Sequence, residues 1–240
     1  DVQLSVSSQF DPDQNVIFSF PTPLAKVDTA AIHLYAKHDT LWYRAPMEFL
    51  PLENRKYELR GEWRPDIEYS LEVDSAAFED IYGLASKPIK QGFKVNSLDT
   101  YGTLLVNITS LHDLPLIVQL LDAQDKVVKE TKTVNGVAEF YYLKPQKYYM
   151  RLIVDRNNNG KWDTGNYDSD QQAEEVYYYP EAIECKAKWD LTESWDPLVR
   201  ELSLQKPGAI TKQKPDKEKK VKNQNVQRAA KLGIQYVPKM

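Results

Sequence analysis

Short runs in which apolar and polar residues alternate recur along the first part of the chain, at 2–7, 16–20, 31–36, 41–44, 56–59, 68–73 and 89–95, each closed by turn-forming residues. A period of two puts successive side chains on opposite faces of a pleated strand, so runs of this length and spacing predict a β-sandwich. Ile67, Tyr69, Leu71 and Val73 form the apolar set of one such run, and the glutamates between them face solvent. Asp11-Pro12-Asp13-Gln14-Asn15 and Pro21-Thr22-Pro23 interrupt the pattern as turns. The stretch 74–82 loses the alternation, which predicts a short helical turn before Gly83.

Beyond residue 98 the pattern is cleaner. Leu104, Val106 and Ile108 alternate in one strand and Leu116, Val118 and Leu120 in the next. Asn135-Gly136 between 127–134 and 137–142 is the signature of a type I′ hairpin, whose two central residues need positive φ. Tyr148, Met150, Leu152 and Val154 share a face, which fixes the core side up to Asp155 and turns the Asp155 side chain away from it. The reading is an all-β chain with two tandem β-sandwich domains, at 1–97 and 98–191. Alternation stops after Trp195-Asp196-Pro197, and 192–240 is expected to be a linker and tail, partly helical at 218–233, with Val221, Ala229 and Leu232 as a thin apolar stripe.

The stretch 155–166, Asp-Arg-Asn-Asn-Asn-Gly-Lys-Trp-Asp-Thr-Gly-Asn, carries the clearest chemistry. Oxygen-bearing side chains fall at loop positions 1, 3, 5, 9 and 12, namely Asp155, Asn157, Asn159, Asp163 and Asn166, with Gly160 at position 6 and the Lys161 carbonyl at position 7. That is the spacing of a calcium loop, in which a hard cation gathers six to eight oxygens at about 2.3–2.6 Å. Position 12 departs from the pattern, because Asn166 replaces the usual bidentate glutamate; Asp168 or Asp170 is available to compensate. The loop follows a strand and has no flanking helices to reorient, so its expected role is a structural calcium staple rather than a sensor.

Composition narrows the picture. The 240 residues are 42% hydrophobic and 28% charged, with 15 Tyr, 5 Trp and a single Cys185, which excludes an internal disulfide framework. No apolar run is long enough to span a membrane, and the chain starts at Asp1 without a signal peptide, as expected of a mature form or an excised fragment. The net charge of −4 divides unevenly: 206–240 hold ten Lys/Arg against two Asp/Glu, a net of +8, leaving −12 for 1–205. A basic tail on an acidic body is either a solvated segment or one that docks on an acidic partner, an anionic membrane surface or the body itself. Nucleic acid does not fit, because the basic run lacks interleaved aromatics.

The ending Tyr69-Ser70-Leu71-Glu72-Val73 … Ile81-Tyr82-Gly83-Leu84, with Gly92-Phe93-Lys94-Val95 after it, resembles bacterial immunoglobulin-like domains of the SbsA type. The run 136–148 resembles the prealbumin-like modules of bacterial surface proteins, including the Cna-B type, with Gln146 where a glycine is usual. From Arg151 to Asp196 the metal loop, Val176-Tyr177-Tyr178-Tyr179-Pro180, Lys188-Trp189-Asp190 and Trp195-Asp196 together look like the C-terminal region of Ig-like surface lipoproteins of the Bacteroidota. That resemblance implies an exported outer-membrane lipoprotein at the cell surface, anchored through a lipidated segment not present in this sequence, with a surface-protein partner. It also makes Asp28-Thr29-Ala30, Asp39-Thr40-Leu41 and Asp74-Ser75-Ala76 readable as O-glycosylation acceptors.

Other constellations point to binding rather than catalysis. Trp-Asp pairs at Trp162, Trp189 and Trp195 lack the 40–45-residue repeat of a propeller. His33 and His38 differ by an odd step and so do not share a strand face. No Gly-rich phosphate loop or nucleophile elbow is present in the sequence. Tyr141, Tyr142, Tyr148, Tyr149 and Tyr177 to Tyr179 are candidates for a glycan-stacking surface, although neighbours in a strand face opposite ways. The expected function is therefore a non-catalytic, calcium-stabilised scaffold or interaction module, with a glycan-binding accessory protein as the alternative.

Overall fold

The computed structural model describes residues 2–111, 113–211, 228 and 231–233. In its first part are β1 (Gln3–Leu4), β2 (Gln9–Phe10), β3 (Val16–Ser19), β4 (Leu24–Val27), β5 (Ile32–His38), β6 (Leu41–Arg44), β7 (Met47–Leu52), β8 (Lys56–Gly61), β9 (Glu68–Val73), β10 (Phe78–Asp80) and β11 (Ile89–Val95). Sheets ordered β1-β3-β8-β7 and β2-β11-β9-β5-β6 share one core, filled by Val16, Phe18 and Leu59 from the first and by Ile32, Leu34, Leu71, Phe93 and Val95 from the second. Pro51 lies in β7, an edge strand, where a missing N–H is tolerated. Tyr69, at the start of β9, donates its hydroxyl proton to the Glu62 carbonyl at 2.8 Å and accepts from the Arg64 N–H at 3.0 Å. This link back to the chain just upstream is the tyrosine corner of immunoglobulin-like sandwiches. Trp63, between the two bonded groups, packs edge-on against Phe10, Tyr69 and Phe93.

A second sandwich follows, with β12 (Gly102–Ile108), β13 (Leu116–Leu121), β14 (Val127–Lys132), β15 (Val137–Leu143), β16 (Gln146–Val154), β17 (Val176–Tyr178), β18 (Ile183–Cys185) and β19 (Asp190–Trp195). Its sheets are β15-β12-β19 and β14-β13-β16-β17, with β18 also paired to β16. Leu104, Val106, Leu116, Val118, Leu120, Phe140, Met150, Leu152 and Trp195 fill the core between them. The expected boundary at 191 falls inside β19, which runs parallel to β12 and carries Trp195 into that core.

Several local expectations change. The stretch 74–82 contains strand β10 instead of a helical turn: Ala76 takes φ 62°, Phe78 is buried in the first core, and β10 pairs with β4. The Asp80 carboxylate accepts the N–H groups of Tyr82 and Leu84 and organises the turn at Gly83. At Asn135-Gly136 both residues have positive φ, and Val134 and Val137 exchange two backbone hydrogen bonds at 2.9 and 3.0 Å, as a type I′ turn requires. The arms then part: β14 pairs with β13 and β15 with β12, so the turn links the two sheets rather than extending one ladder. Burial explains the split, because Ala138 and Phe140 are opposite Val106 and Leu104 and belong to the core. β13 is buried on both faces, not one. The helix expected at 218–233 falls almost entirely outside the described residues. No helix among the described residues is long and apolar enough to cross a membrane.

Candidate metal loop

Strand β16 ends at Val154, and the loop is anchored at once by Asp155 N–H donating to the Pro115 carbonyl at 3.0 Å, beside the start of β13. The Asp155 side chain alternates away from the core, as the strand pattern requires, yet it is fully buried because the loop folds over it. Its two oxygens accept the N–H groups of Asn159 at 2.9 Å and Gly160 at 2.8 Å. Gly160 has φ +79°, a conformation that L side chains rarely adopt, so glycine is needed for its N–H to turn inward. Asn157 Oδ1 accepts Asn159 N–H at 3.1 Å and Asn159 Oδ1 accepts Lys161 N–H at 2.8 Å.

Three of the six expected ligands converge through their side chains. Asn157 and Asn159 both donate their amide N–H groups to one oxygen of Asp163, at 2.5 and 2.7 Å. Asn166 lines a shallow hollow of about 430 Å³ together with Asn157, Asp163, Gly165 and Gln171. Its own Oδ1 accepts Asp168 N–H, and its backbone pairs with Gln171. Lys161 enters the loop's hydrogen bonding through its N–H rather than through the carbonyl expected to face the ion. Asp168 and Asp170 lie in the exposed tip enclosed by the Asn166–Gln171 bridge. The carboxylate that enters the loop is instead Glu174, only 7% exposed, which accepts the N–H groups of Arg156 at 2.9 Å and Asp163 at 3.0 Å. Trp162 is half-exposed and donates its indole N–H to the Glu174 carbonyl. Arg156 grips Glu175 through two nitrogens, and that hydrogen bonding holds the Glu175 carboxyl below its ordinary range.

A cation already stands beside the loop. Lys132 on β14 donates to Asn158 Oδ1 at 3.0 Å and places its ammonium 3.6 Å from an Asp155 oxygen. Among the described residues, no group of three or more His, Cys, Asp or Glu is arranged to hold a metal ion. The loop's oxygens come from Asp155, Asp163 and three amides, and the amides of Asn157 and Asn159 turn nitrogen toward Asp163. Sequence reasoning missed Lys132 and Glu174, which lie outside the twelve-residue spacing. Nothing local separates Glu174 from the carboxylates of Asp168, Asp170 and Glu175.

A second polar centre joins the two sandwiches. Asp11, read from sequence only as part of a turn, is buried and accepts the Tyr101 hydroxyl at 2.6 Å, Asn96 Nδ2 at 3.0 Å and the Lys144 ammonium at 2.6 Å. Asp13 pairs with Lys129, whose ammonium also lies over the Tyr142 ring. Burial alone would raise the Asp11 pKa; the hydrogen bonds from Lys144, Tyr101 and Asn96 with the Lys144 charge outweigh it and hold the carboxyl below its usual value. The same burial, reinforced by the bond to Asp11, pushes the Tyr101 hydroxyl up to about 12.

The tyrosines do not assemble into an open stacking surface. Tyr148 and Tyr149 are buried, Tyr142 and Tyr177 to Tyr179 are partly covered, and Tyr141 alone of the seven is exposed. Tyr149 packs against Ile210, and Lys206 lies over the Tyr178 ring. His33 meets Asp74 at 3.1 Å, and His38 rests against Tyr43. Thr29, Thr40 and Ser75 are exposed.

The fold and loop define a two-sandwich β-protein with a pinned Asx-rich loop. No protein-family model and no curated protein matches the chain. Among solved structures it is similar to the major pilin subunit BcpA of Bacillus cereus, at 13% identity over 82% of this chain and 69% of that one, with a TM-score of 0.25. It is also similar to alpha-2-macroglobulin from Escherichia coli spanning domains MG0-NIE-MG1, at 9% identity over 75% and 76% of the two chains, with a TM-score of 0.34. A third is the Bacillus anthracis TIE protein, at 10% identity over 82% of this chain and 40% of that one, with a TM-score of 0.26.

Proposed function

We propose that the chain is a non-catalytic presentation module of an outer-membrane surface lipoprotein, stiffened by calcium in the loop 155–166 and serving a surface-protein partner. The observation that carries the reading is the joint at Asp11. A buried carboxylate with three donors, two of them from the second sandwich, ties the β-domains together and fixes the spacing of the loops they carry. The exposed Leu41, Trp42 and Tyr43 on edge strand β6 and the exposed Tyr167 beyond the metal loop are the apolar groups such a frame would offer. The surface location rests on the motif resemblance of residues 151–196.

Calcium would be held by Asp155, Asn157, Asn159, Asp163 and the Lys161 carbonyl. Its binding would turn the two amides so that oxygen replaces nitrogen, and Glu174 supports the position that Asn166 fills weakly. The ion would supply a hard positive charge that cross-links the end of β16 to the chain leading into β17. Thermal melting of the full chain tests this, in chelator and in excess calcium, for the parent and for Lys132→Met. Calcium at about a hundred times its Kd is expected to add about 2.7 kcal/mol. The gain should persist or grow in Lys132→Met, which removes a competing ammonium. Identical melting in chelator and calcium, with Lys132→Met less stable in both, would assign the cation's place to Lys132 and overturn the calcium role.

A further inference from the structure

Strand β11 is paired along nearly its whole length on one side and for only a short part of it on the other. β9 runs antiparallel to it from Ile89 to Lys94, whereas β2 lies beside Lys94 and Val95 alone. Val95 N–H donates to the Ile67 carbonyl, on the β9 side, and Lys94 N–H to the Ser8 carbonyl, on the β2 side. Alternation along the strand therefore turns the N–H and C=O groups of Lys90 and Gly92 away from β9, onto an edge with no described strand opposite. The Gly92 carbonyl is met there by a side chain, Gln91 Nε2 at 2.8 Å.

A cavity of about 690 Å³ opens where this edge begins, walled by Val2, Phe20, Leu24, Phe78, Leu84 and Ile89. The turn on its rim exposes Ile81, Tyr82 and Leu84. Asp80 and Lys87 are its charged lining residues, and only the lysine is free. The Asp80 carboxylate is taken up by the N–H groups of Tyr82 and Leu84 and by the Thr22 hydroxyl. Lys87 is exposed and makes no ion pair with a described residue. The cavity is at the opposite end of β11 from Asn96, the residue that reaches the Asp11 joint.

We infer that this edge and cavity receive an extended segment of a partner protein, added as a short strand beside residues 89–92. Three features set its chemistry. The unpaired backbone groups of Lys90 and Gly92 are matched by another backbone, whose N–H displaces the Gln91 amide from the Gly92 carbonyl. The apolar walls are matched by apolar side chains at alternate positions, which a strand presents on a single face. The unpaired Lys87 ammonium is matched by a carboxylate. The partner segment is thus a strand of alternating apolar residues with an acidic residue where it passes Lys87. It makes no use of the loop 155–166, so its binding is independent of calcium.

Isotope-labelled full-length protein titrated with synthetic peptides tests the assignment. The probes are peptides in which valine, leucine or phenylalanine alternates with threonine and aspartates close one end or the other. Controls carry lysine in place of aspartate, or N-methyl groups on the backbone amides. The aspartate peptides are expected to shift the Lys90 and Gly92 amide resonances, to slow their exchange at least about tenfold and to bind with a Kd below about 1 mM. Both controls should bind at least about tenfold more weakly, because N-methylation removes the donors and lysine repels Lys87. Lys87→Glu, at an exposed position, should reverse the preference between aspartate and lysine peptides and leave the melting temperature unchanged. No shift at Lys90 and Gly92 with any aspartate peptide at about 1 mM would overturn the inference, as would equally tight binding of the N-methylated peptides. Concentration-dependent shifts of the same amides in the protein alone would give the edge to a second copy of this chain and overturn it too.

Discussion

Asp11 and Asp155 are both buried aspartates with a lysine beside them, but they are satisfied in opposite ways. Asp155 takes its hydrogen bonds from N–H groups four and five residues ahead, and Lys132 stands 3.6 Å off. Asp11 takes its bonds from Tyr101 and Asn96, 90 and 85 residues away, and from Lys144. The first is a local device that shapes one loop and can form as soon as β16 ends. The second exists only when both sandwiches are folded and docked. A buried charge that is self-sufficient specifies a turn, whereas one that needs distant donors specifies an arrangement of domains.

Removing each carboxylate should separate the two roles. Asp155→Ala is expected to have the largest effect, because it strands the Gly160 N–H, weakens the hold on Asn159 and leaves Lys132 facing an empty pocket. Buried donors without partners cost about 1–3 kcal/mol each, so a loss of about 3 kcal/mol is expected by urea denaturation. It should be confined to the second sandwich, with exchange protection lost between 153 and 176 and the first core unchanged. A loss below about 0.5 kcal/mol would mean that solvent satisfies the loop without Asp155.

Asp11→Ala should cost less, about 2 kcal/mol, since Asn96 still reaches the Tyr101 hydroxyl and the exposed Lys144 can hydrate. Its distinctive signature is geometric. Small-angle scattering should broaden the interdomain distance distribution, and the single unfolding transition should split, while the melting response to calcium stays as in the parent. One cooperative transition and an unaltered scattering profile in Asp11→Ala would show that the joint does not set domain geometry.

The same division explains what the amino-acid pattern revealed. Period-two alternation located most of the long strands, the Asn135-Gly136 turn and the inward face of β16, because each depends on neighbours in sequence. It missed β2, β4, β7, β10, β17, β18 and β19, which are short or lie at edges or bulges where pairing partners decide the conformation. It also joined β14 to β15 as one ladder, when the choice of sheet was made by Phe140 and Ala138 entering a core shared with distant strands. In the loop, Asp155, Gly160 and the Asx turns were legible for the same local reason. Glu174 and Lys132 were not, because only the folded chain brings them there. Asp11 had no sequence signature at all, being one of several aspartates in Pro-flanked turns.

The smallest effect, and the one that isolates the joint most cleanly, is its pH dependence. In the folded protein Asp11 titrates below its ordinary value, so the ionised form is favoured. Its contribution is complete above the unfolded carboxylate's pKa of about 4 and is lost as pH falls through the lower folded value. Tyr101 works in the other direction. Its hydroxyl is pushed up to about 12, so its contribution is complete below the unfolded phenol's pKa of about 10 and disappears as pH rises toward 12. Between those limits the joint should be pH-independent. Asp11→Asn is expected to flatten the acid limb of the stability curve relative to the parent, and Tyr101→Phe the alkaline limb. A residual alkaline loss should remain in Tyr101→Phe from Tyr179, which burial and its bond to Glu193 also push up to about 12. Acid and alkaline limbs that both survive unchanged in the two variants would show that solvent reaches Asp11 and Tyr101, and the contrast with the loop aspartate would then rest on geometry alone.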